Sequence, residues 1–366
     1  VVVIVERIGI AGGNPYPLYY DYYIKSVSMA FDLALASGVY AVVGVFRKDR
    51  IWQALGFALA FLLPMQAVNS GMWGQNDSYY ACFSIWSLYF LLTDRPYRAM
   101  ALAGLSLAAK AQGVLLVPFY VFLWLRRRLK LRHALAAFGT FLMPTAVYWL
   151  LGSSFAKPFV WLGNGLGSYQ ELDYGSGNLW SYFSYYTNGE TAAATNALMT
   201  GMAFAVAAGA LGMLILALLG HHTVLDRPAL VLLAALFAIA VPFVLPKMHE
   251  RYFYLFDVMV LVYALVYRRR WWLVVLKQLS SAMAYSSFMF SRSFFGFMSG
   301  TDNVILIALV NTAILVVMLY DAFRLPPAGP AEREAERLAL ESRRRQLAAV
   351  FRGRPDAGTD GKDESK

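Results

Sequence analysis

Charge is scarce in this chain. Only 15% of its 366 residues are Asp, Glu, Lys or Arg, while 59% are hydrophobic; soluble domains carry about 25% charged residues. A packed soluble core does not account for that balance. Cysteine is scarcer still. The single Cys82 excludes an internal disulfide and a thiolate metal cluster, and its place in an apolar run predicts an inert buried thiol. The chain also lacks a Walker A or Rossmann glycine pattern, Cys/His spacing of the metal-binding kind, and a Gly-x-Ser-x-Gly elbow. Nucleotide-driven transport and serine hydrolysis therefore have no support. At the start there is no Met, and Val1–Ile10 contains Glu6 and Arg7 without the basic-then-apolar layout of a signal peptide. A further N-terminal piece is expected upstream.

What is present is apolar sequence in long runs, with a mean hydropathy of +0.51. Runs near the ~20 residues needed to cross a bilayer recur. They predict an all-α, polytopic transmembrane helical bundle of about ten to eleven membrane helices, some short or broken. The expected spans are Ser26–Phe46, Trp52–Val68, Tyr79–Leu92, Ala99–Lys110, Gly113–Leu125, Ala134–Leu151, Gly201–Leu219, Ala229–Leu245, Phe253–Tyr267, Trp271–Phe290 and Asn303–Tyr320. Residues 1–325 form the membrane domain, with a long loop at 152–200. Residues 326–366 form a charged tail, helical over Ala331–Phe351 and polar over Gly353–Lys366. A cytoplasmic surface helix near anionic lipid is the expectation for that tail.

The net charge of +10 is not a nucleic-acid signal, because Lys and Arg sit mainly in short loops and the tail. These loops are Arg47–Arg50, Arg95 with Arg98, Arg126–Arg132, Arg227 with the two histidines before it, Arg268–Arg270, and Arg324. The positive-inside rule assigns all of them to the cytoplasm of a multi-pass cell-membrane protein. Parity permits this only if Ala99–Leu125 is two short helices meeting near Lys110-Ala111-Gln112. Broken helices of that kind occur where they are buried in protein or line a cavity. The remaining polar segments then share the extracytoplasmic face.

Two polar islands stand out there. Lys247-Met248-His249-Glu250-Arg251-Tyr252 closes an almost uncharged run. Its bland reading is a helix end with snorkelling cations. Cations outside the membrane oppose the positive-inside bias, however, and two of them flanking His and Glu suit a phosphate. Asn69–Ser78 contains Trp73, Gln75 and Asp77 and reads equally as a turn or as a sugar site with Tyr79 and Tyr80 beside it. Lys110 and Gln112 read as a helix junction, or as donors to a phosphate or pyrophosphate. The long loop carries Tyr169–Tyr174 and then Gly177–Phe183, with Asn178 and Trp180; its length suits a lid or acceptor surface.

In this order, Ser70–Tyr79, Lys110-Ala111-Gln112 and Lys247–Tyr252 resemble the GT-C class of integral-membrane glycosyltransferases, the nearest being bacterial relatives of the GPI mannosyltransferase PIG-V. Asn178-Leu179-Trp180 is similar to a recurring feature of that group, and the resemblance runs from Pro15 to Tyr320. It implies inverting transfer of a sugar, typically mannose, from a polyprenyl-phosphate donor to a glycan, lipid or protein acceptor on the extracytoplasmic face. Such enzymes use an acidic residue of the first extracytoplasmic loop as base. Pro15–Tyr20 is similar to the family's segment just after that loop, so the family's Asp has no counterpart here. Asp77 and Glu250 are the catalytic candidates that remain. Lys110, Lys247, His249 and Arg251 are the candidates for the donor phosphate, and Trp73, Gln75, Asn178, Trp180 and Tyr252 those for the sugar or acceptor. No cofactor or nucleic-acid partner is expected, membrane lipids are, and nothing in the residues indicates a metal. The rival from another class is a secondary transporter or flippase for a polar or lipid-linked solute.

Overall fold

The computed structural model describes residues 18–154, 171–183, 193–222, 224–290, 300–327 and 329. The expected tail helix, the polar stretch after it, the segment before Leu18, and Tyr169 and Gln170 lie outside these residues. Within them the protein is all-α, with twelve α-helices. In chain order these are α1 (Leu18–Phe46), α2 (Arg50–Phe61), α3 (Pro64–Ala67), α4 (Asp77–Leu92), α5 (Pro96–Ala109), α6 (Val117–Leu125), α7 (Leu131–Leu150), α8 (Ala193–Gly220), α9 (Arg227–Val244), α10 (Tyr254–Tyr267), α11 (Trp271–Phe290) and α12 (Gly300–Phe323). Two short strands, β1 (Asp173–Tyr174) and β2 (Met248–His249), pair in parallel and tie the long loop to the Lys247–Tyr252 island.

Among the described residues, four helices are long and apolar enough to cross a membrane: Tyr22–Phe46, Leu198–Gly220, Arg227–Val244 and Asp302–Phe323. A fifth crossing is counted if the pair Arg50–Phe61 and Pro64–Trp73, bent by 47°, is one span. The other expected spans are shorter or less apolar. Helix α4 has 16 residues, roughly 24 Å of helix, which falls short of a ~30 Å hydrocarbon core. Several helix starts, at Arg50, Asp77, Pro96 and Arg227, lie two or three residues before the expected spans, because those first turns are polar. Asp226 caps α9 by accepting from Ala229 N at 2.8 Å, with Pro228 in the first turn.

The core is built around α9 and α10, which are buried along almost their whole length. The run Leu230–Ala240 is hydrophobic all round, as a helix enclosed by others must be. Its alanines let neighbouring backbones come close, the usual basis of helix association in lipid. Elsewhere glycine does the same: a Cβ on Gly104 of α5 would lie 2.0 Å from Ala137 O of α7.

Hydrogen bonds show how the chain turns at Lys110. Ser87 Oγ, near the end of α4, donates to Ala99 O at the start of α5 and pairs with Tyr120 OH of α6, both at 2.8 Å. Lys110 lies at the other end of α5, level with Asp77 at the start of α4. The chain therefore climbs along α5 and returns through a 3₁₀ segment, Ala111–Leu116, into α6. Gly113 makes the return possible, since a Cβ there would sit 2.6 Å from the backbone of Ser106 and Leu107.

The basic loops meet at one end through a continuous series of contacts. Arg47 and Arg268 both lie over the Trp52 ring, at 5.6 and 5.5 Å. Arg269 and Arg270 pair with Asp321. Two residues before α9, Leu225 O accepts from Arg128, and Val224 N donates to Pro326 O. Arg227 reaches Asp94 at 3.8 Å. The Asp77–Lys110 pair lies at the opposite end of α4 and α5.

Candidate functional site

The site begins with an irregular turn. Pro64 starts a new helix after a bend, and the chain then widens into a π-helical segment, Val68–Trp73, ended by Gly74 in the left-handed region (φ 74°). Gln75 N closes the segment by donating to Asn69 O at 2.9 Å. This geometry delivers Asp77 to the first turn of α4, where the helix dipole favours a carboxylate. Asp77 is fully buried. Lys110 Nζ donates to its Oδ1 at 2.7 Å, and Asn69 Nδ2 donates to its Oδ2 at 3.0 Å. The same Asn69 amide also donates to Tyr285 OH at 3.1 Å.

The second island closes over this carboxylate. Arg251 Nε stands 3.9 Å from Asp77 Oδ2, an electrostatic contact rather than a hydrogen bond. Arg251 NH1 donates to Glu250 Oε1 at 2.7 Å, and His249 Nδ1 lies 3.6 Å from Glu250 Oε2. Burial works against the charge on Arg251, but Asp77 and Glu250 together outweigh it and hold its pKa above the ordinary arginine value. Aromatic rings form the walls. Arg251 lies over Trp73 at 5.4 Å and over Tyr252 at 5.7 Å. His249 stacks on Tyr174 of the long loop, with 4.7 Å between ring centroids.

The structure thus brings together Asp77, Lys110, Trp73, His249, Glu250, Arg251 and Tyr252 from three separate stretches. The other candidates have different positions. Lys247 has a left-handed backbone (φ 64°), and its N–H donates to Leu172 O at 2.7 Å. Asn178 Nδ2 and Trp180 Nε1 donate to Leu245 O and Val244 O, at 2.9 and 2.8 Å. Both side chains fasten the loop to the end of α9. Gln75 contributes its backbone, as above. Gln112 is buried near the Lys110 break, and its Oε1 has no partner. Residues outside the candidate set also touch the site, among them Asn69, Tyr285 and Tyr174. Asn69 was legible as part of its island, whereas Tyr285 lies inside an apolar helix with no local signal.

Two cations face two carboxylates, so the charges balance, but the hydrogen-bonding capacity does not. Lysine has three donors and arginine five, and one of each is used on these carboxylates. The spare donors, the aromatic walls and the second carboxylate fit an anionic, partly apolar ligand. Among the described residues, no three His, Cys, Asp or Glu side chains gather as a metal site would need. Compared with known proteins, the chain matches no family model, no curated protein and no solved structure.

Proposed function

We propose that the protein is a membrane glycosyltransferase of the GT-C kind, moving a hexose from a polyprenyl-phosphate donor to a hydroxyl acceptor on the extracytoplasmic face. The observation that carries this reading is the meeting of Lys110 and Arg251 on buried Asp77, at the end of the bundle opposite the basic loops. In this reading the chain crosses the cell membrane ten to eleven times, with short helices completing the four or five long ones. The acceptor oxygen bonds to the anomeric carbon as the bond from that carbon to the phosphate oxygen breaks. The polyprenyl phosphate leaves with the electron pair. Lys110, Arg251 and His249 stabilise its charge, and Glu250 takes the hydroxyl proton. Asp77 holds the two cations in place, Trp73 and Tyr252 pack on the sugar, and mannose is the sugar the resemblance implies. Asn178 and Trp180 serve as anchors of the loop.

The test is transfer from a radiolabelled polyprenyl-phosphate sugar in membranes. Asp77→Asn and Arg251→Ala should each lose most activity at normal protein levels. Full activity in both rejects the reading. A transporter is the second reading, favoured by Lys277, which is buried among α10, α11 and α12 at 4.0 Å from Asp257. Ionisable pairs inside a membrane often lie on solute or ion paths. Retained transfer in Lys277→Met, with loss in Arg251→Ala, decides for the enzyme.

A further inference from the structure

The loop joining α6 to α7 gathers positive charge beside a cavity. Arg126, Arg127, Arg128, Lys130 and Arg132 fall within one short stretch, and no Asp or Glu occurs between Asp94 and Glu171. Other basic loops have carboxylates at hand: Asp49 stands inside Arg47–Arg50, Asp94 meets Arg227, and Asp321 meets Arg269 and Arg270. In the α6–α7 loop, Arg128 donates to Leu225 O, and Arg132 lies over the Tyr97 ring at 5.8 Å. Arg127 and Lys130 are exposed, and among the described residues no carboxylate lies within ion-pair distance of either.

The backbone fixes where these two side chains start. Helix α6 ends in a closed turn, with Arg127 N donating to Trp124 O and Arg128 N to Leu123 O, both at 2.9 Å. Arg127 takes the left-handed position of that turn (φ 58°), which glycine usually fills. An open cavity of about 370 Å³ is lined by Trp124, Leu125, Arg127, Leu129 and Lys130. Ligand pockets begin at roughly 300 Å³, so the space suits a compact group. Exposed apolar side chains flank the loop on both sides: Val121, Trp124 and Leu125 on α6, and Leu131, Leu135 and Phe138 on α7. Topology selects cations for such a loop, and the C-terminal end of α6 favours them. Neither effect calls for a cavity between apolar flanks. A soluble anion would use the cations alone, whereas a phospholipid uses the cations and the flanks together.

We infer that this cavity binds the headgroup of an anionic phospholipid, with Arg127 and Lys130 on its phosphate and its acyl chains along the exposed faces of α6 and α7. Arginine holds a phosphate through two parallel donors, and lysine holds it as a point charge. The site lies among the basic loops, at the end that the positive-inside rule assigns to the cytoplasm, where the leaflet carries anionic lipid. It does not rest on the sugar-transfer reading. Its consequence is mechanical. Helix α6 follows directly from the Lys110 turn, and Arg128 ties its other end to Leu225, just before α9. Lipid bound here braces the helix that leads back to the Asp77 site.

The experiment is thermal unfolding of the purified, detergent-solubilised full chain, titrated with dioleoylphosphatidylglycerol, dioleoylphosphatidylcholine or inorganic phosphate at constant ionic strength. Phosphatidylglycerol should give a saturable Tm rise of a few degrees over phosphatidylcholine. The double variant Arg127→Gln with Lys130→Gln should raise the half-maximal phosphatidylglycerol concentration about tenfold, because both phosphate contacts go. Lys48→Gln with Arg50→Gln removes the same charge from another exposed basic loop and should leave that concentration unchanged. Equal Tm in the two lipids for the wild type overturns the site. So do equal shifts in the two double variants, which would mean general attraction between a basic protein and an anionic micelle. An equal rise with inorganic phosphate makes the occupant a soluble anion and also overturns the lipid site.

Discussion

Asp77 and Asp321 are both buried carboxylates facing two cations, one at each end of the bundle, and their geometries differ. Asp321 is saturated. Arg270 reaches both its oxygens, from Nε at 3.1 Å and NH2 at 3.0 Å, Tyr263 OH donates to Oδ2, and Arg269 stands 3.6 Å away. The bidentate fork uses Arg270 fully on its partner, so this cluster clamps the α10–α11 loop to α12. Asp77 takes one bond from Lys110, and its arginine stops at 3.9 Å. The cations there are also drier, with side chains 14% and 16% exposed, against 50% and 29% for Arg269 and Arg270. The same ingredients thus give a structural lock where the fork closes, and a candidate ligand site where it stays open.

The sharpest way to break that comparison is to remove each carboxylate in turn. Asp77→Ala leaves the mostly buried Lys110 without an anion and Arg251 with Glu250 alone, and should cost about 3–5 kcal/mol of stability. Asp321→Ala leaves cations that water can reach and should cost about 1 kcal/mol. Chemical unfolding of the two variants in the same detergent measures both losses. Equal losses would mean that both clusters are plain structural locks.

The next effect concerns the open fork. Arg251→Ala should weaken donor use by about 1.5–3 kcal/mol, the worth of a hydrogen bond to a charged group. Arg251→Lys should recover only part of it, because an ammonium cannot offer two parallel donors. Arg270→Ala should leave donor use unchanged at equal protein levels. Competition by polyprenyl phosphate in the transfer assay separates these outcomes. Loss of donor use in Arg270→Ala, or full recovery in Arg251→Lys, removes the distinction between the two ends.

Much of this was legible from residues alone, for definite reasons. Apolar runs marked the helices because burial and lipid contact both demand apolar side chains, and the ends at Phe46, Leu92, Leu125, Tyr267 and Phe290 coincide with helix ends. Parity required the chain to turn at Lys110, and the Ser87 contacts show that turn. Single polar residues inside apolar helices were the blind spot. Asp32, Asp257 and Lys277 each disappeared into a hydrophobic average, although an ionisable residue inside a span is itself a signal. Pro64 was hidden in the same way, and the bend it starts turns Trp52–Val68 into two helices and a π-turn. No local pattern announces a π-turn, since its extra residue is set by the contacts that Asn69, Ser70 and Trp73 make with α1, α4 and α11.

A moderate effect should separate the Lys110 turn from its surroundings. Gly113→Ala places a methyl against backbone atoms at 2.6 Å, and backbone cannot step aside as a side chain end can. A cost of about 1–3 kcal/mol follows from overpacking, together with a drop in transfer activity as Lys110 leaves Asp77. Gly139→Ala, with nothing within 4 Å of the added carbon, is the control. If both variants melt like the wild type and keep activity, the turn is not the strut that sets the Lys110–Asp77 distance.

The smallest effect tests the loop that joins the site from the side. Asp173 is buried, accepts from Ser176 N, Ser176 Oγ and Ser181 Oγ, and has its pKa pushed above the ordinary 3.8 by that burial. A carboxyl raised in the folded state contributes stability that is fully present below its unfolded pKa and is lost as pH rises through the folded value. The segment 171–183 should therefore be best protected in acid and loosen as pH climbs past the ordinary Asp range, carrying Tyr174 away from His249. Hydrogen exchange of Ser176 and Ser181 amides, corrected for the intrinsic rate, reads this directly. Asp173→Asn should flatten the dependence while leaving the Asp77 and Asp321 clusters untouched. Protection that rises with pH in the wild type would show that the three donated hydrogen bonds outweigh burial, and that the loop is held by a charged carboxylate, as Arg270 and Asp321 hold the opposite end.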